Sequence, residues 1–214
     1  MPFSNVYDPD DVITRDSIFG REWIITEKVD GSQTDIQFVD DAPDARNRNT
    51  DILHGGADRQ YHPFLVWLQA HYVALWTLLG NDRILFGEWM FHVHSVGYTS
   101  LPDWYLAFDL FDKATDRFLP FEAAMASIEG AGLYHVPILA RVTIRDQAHL
   151  LSFISGSAYG DVEMEGLVLH SADGQDHVKY VTSAFKDVVD GSRKWRWELT
   201  RRKNKLVSPP ARLA

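Results

Sequence analysis

The stretch Trp23-Ile24-Ile25-Thr26-Glu27-Lys28-Val29-Asp30-Gly31-Ser32 decides how this chain is read. Trp23 to Thr26 are apolar or β-branched and read as a buried strand. Gly31 permits a tight turn that brings backbone close to a ligand. Lys28 stands between strand and turn. A strand end holds a lysine rigidly, and partial burial favours an uncharged, nucleophilic amine. On its own, K-x-D-G describes a surface lysine before a turn equally well.

The rest of the chain changes that balance. Downstream come Phe86-Gly87-Glu88-Trp89, then Ala107-Phe108-Asp109-Leu110. Glu165-Gly166-Leu167-Val168-Leu169 and Val178-Lys179-Tyr180-Val181 follow. In this order the pieces resemble motifs I, III, IIIa, IV and V of the covalent nucleotidyltransferases, the superfamily of ATP-dependent DNA ligases, RNA ligases and mRNA capping enzymes. The run from Phe86 to Asp112, with His94-Ser95, Tyr98 and Leu101-Pro102 inside it, is most similar to the ATP-dependent RNA ligases. The resemblance covers about residues 22 to 187, and five ordered motifs are far more specific than any one.

The resemblance implies a set of roles. Lys28 is the nucleophile that forms lysyl-AMP, and Glu27, Asp30 and Gly31 lie beside the nucleotide. Glu88 accepts a hydrogen bond from a ribose hydroxyl. Phe108 stacks on adenine, although a phenylalanine in an apolar strand is ordinarily core. Lys179 offsets α-phosphate charge; an inward cation on a strand is costly unless it meets an anion. Arg46 or Arg48 fills the motif Ia role near ribose or phosphate, with Arg48 favoured by its distance from Lys28. The second basic residue of motif V falls on Val181, a departure for which Lys186 is a candidate replacement. Glu165 binds the divalent metal, Mg2+ or Mn2+. Glu163 is two residues away and is expected to share its face, since strand side chains repeat every two residues.

The alternatives within the superfamily are a minimal DNA ligase and a capping-type nucleotidyltransferase. Those branches usually carry an arginine just after the K-x-D-G turn, where this chain has Ser32-Gln33. A non-catalytic nucleotide-binding domain is a third reading, opposed by the intact Lys28, Glu88, Glu165 and Lys179 and favoured by Val181.

Composition sets the frame. The 214 residues suffice for one sizeable core, and 45% hydrophobic content argues against disorder. There is no cysteine, hence no disulfide or thiolate chemistry. No signal segment and no bilayer-length apolar run is present, so a cytoplasmic protein without a membrane partner is expected. His92 and His94 have metal-like spacing, but no supporting pattern makes them a zinc site. Neither a P-loop nor a G-x-S-x-G elbow occurs.

The net charge of −9 does not advertise nucleic-acid binding, yet Arg193 to Lys205 holds seven basic residues and one acid. With Trp195 and Trp197, that segment offers a phosphate-tracking surface; the bland alternative is a solvated helix with its tryptophans on the core. The expected organisation is a nucleotidyltransferase (adenylation) domain over 1–187 and a basic C-terminal helix or tail over 188–214. Family ligases commonly carry a further C-terminal domain. The expected partners are therefore RNA, as a nicked duplex or RNA/DNA hybrid, and a protein supplying that domain's role, unless the tail does so.

Thr34 to Val39 reads as the strand after the lysine turn, and Asp40 to Asp58 as a polar loop. Pro63 to Leu79 reads as one helix. Strands are expected at 83–90, 104–111, 164–170 and 177–181, and short helices at 121–128 and 146–154. The fold class is α+β, an ATP-grasp-like ligase adenylation domain with antiparallel sheets flanked by helices.

Overall fold

The structure is a computed structural model and describes residues 17–47, 51–53, 61–182 and 202–207. Two antiparallel sheets dominate it. One has four strands in the order β7-β1-β8-β9, with β1 (Glu22–Lys28), β7 (Ile138–Thr143), β8 (Gly166–His170) and β9 (His177–Val181). The other has five in the order β3-β2-β4-β5-β6, with β2 (Ser32–Val39), β3 (Ala42–Asn47), β4 (Arg83–Trp89), β5 (Tyr105–Asp112) and β6 (Arg117–Phe118). The chain passes from the first sheet to the second at Val29-Asp30-Gly31, so the K-x-D-G turn joins the two sheets.

Three helices cover the outer face of the five-stranded sheet: α1 (His62–Ala70), α2 (Tyr72–Leu79) and α3 (Phe121–Gly130). Their inward stripe of Phe64, Trp67, Leu75, Phe121 and Ile128 packs on Leu85, Trp89, Tyr105 and Leu110. A second core, with Trp23, Ile25, Leu167 and Leu169, lies behind the four-stranded sheet beside α4 (Gln147–Leu151). A third gathers Val29, Met90, Tyr98, Leu101 and Leu106 around the K-x-D-G turn.

The antiparallel α+β architecture matches the sequence expectation, with three differences. Asp40 to Asp58 is not all loop. Asp40 and Asp41 both take positive φ, 50° and 64°, and make the tight hairpin from which β3 returns. As an edge strand, β3 tolerates Pro43 and polar residues, which hides it from a hydrophobicity pattern. The helix expected over 63–79 is interrupted at His71, whose ring stacks on Trp67 at 4.4 Å and contacts the Trp67 carbonyl at 2.8 Å. Finally, residues 202–207 return to the body of the domain. Asn204, 3% exposed, accepts from the Tyr98 N–H at 2.8 Å and donates to the Met90 carbonyl at 2.7 Å. The rest of the segment 188–214, including Trp195 and Trp197, lies outside the described residues.

Candidate active site

Alternation along β1 sends Thr26 and Lys28 toward the five-stranded sheet, and register extends that face. Thr26 opposes Val168, which opposes Lys179; Lys28 opposes Gly166. Across the gap stand Glu88 from β4 and Phe108 and Asp109 from β5. A bulge pairs Phe86 with Asp109 and Gly87 with Ala107, so Phe108 sits at the register shift and lines the cleft. Lys28, Glu88, Phe108, Asp109, Val168 and Lys179 all line one cleft between the sheets.

Lys28 Nζ lies 2.6 Å from Glu165 Oε1, with side-chain exposures of 21% and 7%. Burial raises the Glu165 carboxyl to about 7 against the pull of Lys28. Burial likewise raises Glu88 to about 7, while Lys28 and Lys179 hold it down. The site therefore keeps two carboxyls near neutrality beside two lysines, where protons move at little cost. Glu88 Oε2 and Glu165 Oε2 are buried with no hydrogen-bond partner. Two hard oxygens turned inward fit a magnesium or manganese ion held together with phosphate.

Gly166 is required by this geometry: a Cβ there would collide with the Tyr180 carbonyl oxygen of the neighbouring strand. Gly31 acts the same way at the turn. Its φ is not in the left-handed region; a Cβ would lie 2.6 Å from Met90 Sδ and 2.9 Å from the Trp89 carbonyl oxygen. Its role is close approach to the end of β4.

Other expected residues sit differently. The Asp30 carboxylate accepts from the Ser95 and Val96 amides at 2.6 and 2.9 Å, and its own N–H donates to Tyr98 Oη at 2.8 Å. It pins the loop after β4 to the turn. Glu27 borders the cleft, but its oxygens accept from the Ser157 hydroxyl and the Ala158 N–H, so it anchors the 157–158 segment. Arg46 is exposed on β3, 3.2 Å from Asp44, and does not line the cleft. Glu163 does not join Glu165. It precedes β8, bridges to Gly156, and lines a separate depression with Leu151, Ile154 and Tyr180. Strand alternation does not hold there because residues 163–165 are not yet strand. Arg48 and Lys186 lie outside the described residues.

Sequence reasoning missed Asp109, His170 and His177, which also line the cleft. Their signal was parity: His170 is two residues after Val168, and His177 two before Lys179, on one face of the hairpin.

The sequence model of the RNA ligase family matches residues 21–186. The chain belongs to the RNA ligase family. No curated protein sequence matches it. Among solved structures it is similar to Naegleria gruberi RNA ligase with pyrophosphate, at TM-score 0.67 and 21% identity over 89% of this chain and 59% of that one. A Naegleria gruberi RNA ligase variant with ATP and Mn aligns at TM-score 0.65 and 20% identity, over 87% of this chain and 58% of that chain. A variant with AMP and Mn aligns at TM-score 0.64 and 20% identity, over 87% and 58%. At this identity the likeness shows the fold, and the chain spans less than two thirds of each of these RNA ligases. Among the described residues, no helix is long and apolar enough to cross a membrane.

Proposed function

We propose that this RNA ligase family member is an ATP-dependent RNA ligase, joining RNA 5′-phosphate and 3′-hydroxyl ends through a lysyl-AMP intermediate on Lys28. Residues 1–187 would form its nucleotidyltransferase (adenylation) domain. The observation that carries the reading is the Lys28–Glu165 contact of 2.6 Å, in the same cleft as Glu88, Phe108 and Lys179.

Each step balances on these residues. Lys28 gives its proton to Glu165, whose carboxyl is held near 7, and Nζ attacks the α-phosphorus of ATP. A P–N bond forms, the bond to the β-phosphate oxygen breaks, and pyrophosphate leaves. Lys179 offsets charge on the α-phosphate, Glu88 accepts from the ribose, and Phe108 offers its ring to adenine. The RNA 5′-phosphate oxygen then attacks the same phosphorus and displaces Lys28. The RNA 3′-hydroxyl attacks the activated 5′-phosphate and releases AMP. A divalent ion held by Glu165 and Glu88 would supply further charge neutralisation on the phosphates. The two glutamates also hold the lysine and ribose in place.

The substrate test is joining of an RNA nick in duplex or RNA/DNA hybrid, with ATP and magnesium. Sealed product is expected, and a 3′-deoxy end should stop the reaction at adenylylated RNA. A protein that labels itself with AMP but joins neither RNA substrate, while sealing DNA nicks, would overturn the RNA assignment.

A further inference from the structure

The two histidines of the β8–β9 hairpin take no part in the chemistry above. His170 ends β8 and His177 begins β9, directly opposed in register. Asp109 meets them from the other sheet: Oδ2 is 3.2 Å from His177 Nε2 and Oδ1 is 3.9 Å from His170 Nδ1. His170 and Asp109 are each 1% exposed.

Thr26 Oγ1 lies 3.4 Å from the Val168 carbonyl and 3.1 Å from His170 Nε2. With the hydroxyl donating to the carbonyl, its oxygen accepts from Nε2, and Nδ1 presents a lone pair. Nδ1 is buried without a hydrogen-bond partner and faces a carboxylate. Two electron-rich atoms confronting each other away from water are unfavourable unless a positive charge lies between them.

We propose that Asp109, His170 and His177 bind a borderline first-row divalent cation, zinc fitting best, at a site distinct from the carboxylates facing Lys28. Their donor atoms all lie within 4.8 Å of one another. Tetrahedral zinc with bonds of about 2.1 Å needs donors roughly 3.4 Å apart, so a contraction of up to about 1.4 Å on the widest pair completes the set. Two imidazoles and one carboxylate leave a fourth position open toward the cleft. The hydrogen bond from His170 to Thr26 is the outer contact that orients a metal-ligating imidazole. Magnesium prefers oxygen donors, so the two sites sort the two metals. Lys179 repels the cation, and the Asp109 carboxylate opposes that repulsion. A bound ion would tie β5 of one sheet to the β8–β9 hairpin of the other across the back of the cleft.

The test uses the metal-stripped full chain without ATP, so its failure leaves the ligase reading standing. Cobalt titration followed by visible absorption should show one equivalent in an imidazole-containing four-coordinate site, displaced by zinc and not by magnesium. Zinc at about 100 times its dissociation constant should raise the melting temperature by roughly 5–10 °C. His177→Gln and His170→Ala should abolish the bands and the shift, and Glu165→Gln should retain both. If His170→Ala fails to fold, the near-isosteric His177→Gln exchange still decides the matter. The absence of one-to-one binding, or binding undiminished in His177→Gln, overturns the proposal.

Discussion

Lys28→Met should destabilise the ligand-free protein in a manner that grows with pH. The methionine keeps most of the buried stem and removes the charge that stands 2.6 Å from Glu165. In the parent, Glu165 has its carboxyl raised from 4.5 to about 7 by burial against the pull of Lys28. A carboxyl raised in the folded state stays protonated where the unfolded chain has released its proton. Its stabilising contribution is complete below 4.5 and is lost as pH rises through the folded value. In the parent that loss ends near 7. Without Lys28 the folded value moves higher, and the loss continues above 7 at up to about 1.4 kcal/mol per pH unit. Glu88 also depends on Lys28 and moves the same way. Lys28 is a fifth exposed, so solvent screening reduces the effect. Roughly 1–2 kcal/mol of extra loss is expected between pH 6 and pH 8.5. Urea unfolding followed by tryptophan fluorescence measures both curves. Near-equal stability at pH 6 and a widening gap at pH 8.5 is the expected pattern. An equal gap at both pH values, or a larger one at pH 6, would refute the electrostatic reasoning.

Gly31→Ala should cost about 1–3 kcal/mol and suppress AMP transfer, because Met90 Sδ can move away but the Trp89 carbonyl cannot; unchanged melting and labelling would show the turn has room. Asn204→Ala should cost roughly 2–3 kcal/mol by stranding the Tyr98 N–H and the Met90 carbonyl. It should also slow labelling, since Tyr98 holds the Asp30 turn; full activity in the variant would count against that linkage. Phe108→Ala should raise the ATP concentration needed for labelling more than Phe108→Tyr does, stacking being worth roughly 1–3 kcal/mol per base; equal losses in folded variants would indicate a packing role.

Much of this arrangement was legible in the chain. The buried strand, Lys28 and Gly31 mark a sheet-to-sheet crossing, and the apolar strands carrying Glu88 and Lys179 deliver both residues to one cleft. What escaped depended on partners distant in sequence. Asp30 follows Lys28 by two residues, yet its carboxylate is consumed by the amides of Ser95 and Val96. Glu27 is claimed by Ser157 and Ala158. Glu163 shares a spacing with Glu165 but not a strand, so periodicity sends it to the wrong place. The strand Ala42–Asn47 is polar because it is an edge, and only its two aspartates at positive φ mark the hairpin. Asn204 sits in a basic segment that reads as a phosphate-tracking surface or a solvated helix, and its clasp on Met90 and Tyr98 has no local signature.

Covalent labelling tests the central claim most directly. The protein is incubated with α-phosphate-labelled ATP and magnesium, denatured, and separated by electrophoresis, and the modified peptide is identified by mass spectrometry. The expected result is an acid-labile AMP adduct on Lys28, absent from Lys28→Ala and lost when pyrophosphate is added. An adduct on another residue, or labelling of Lys28→Ala equal to that of the parent, would contradict it.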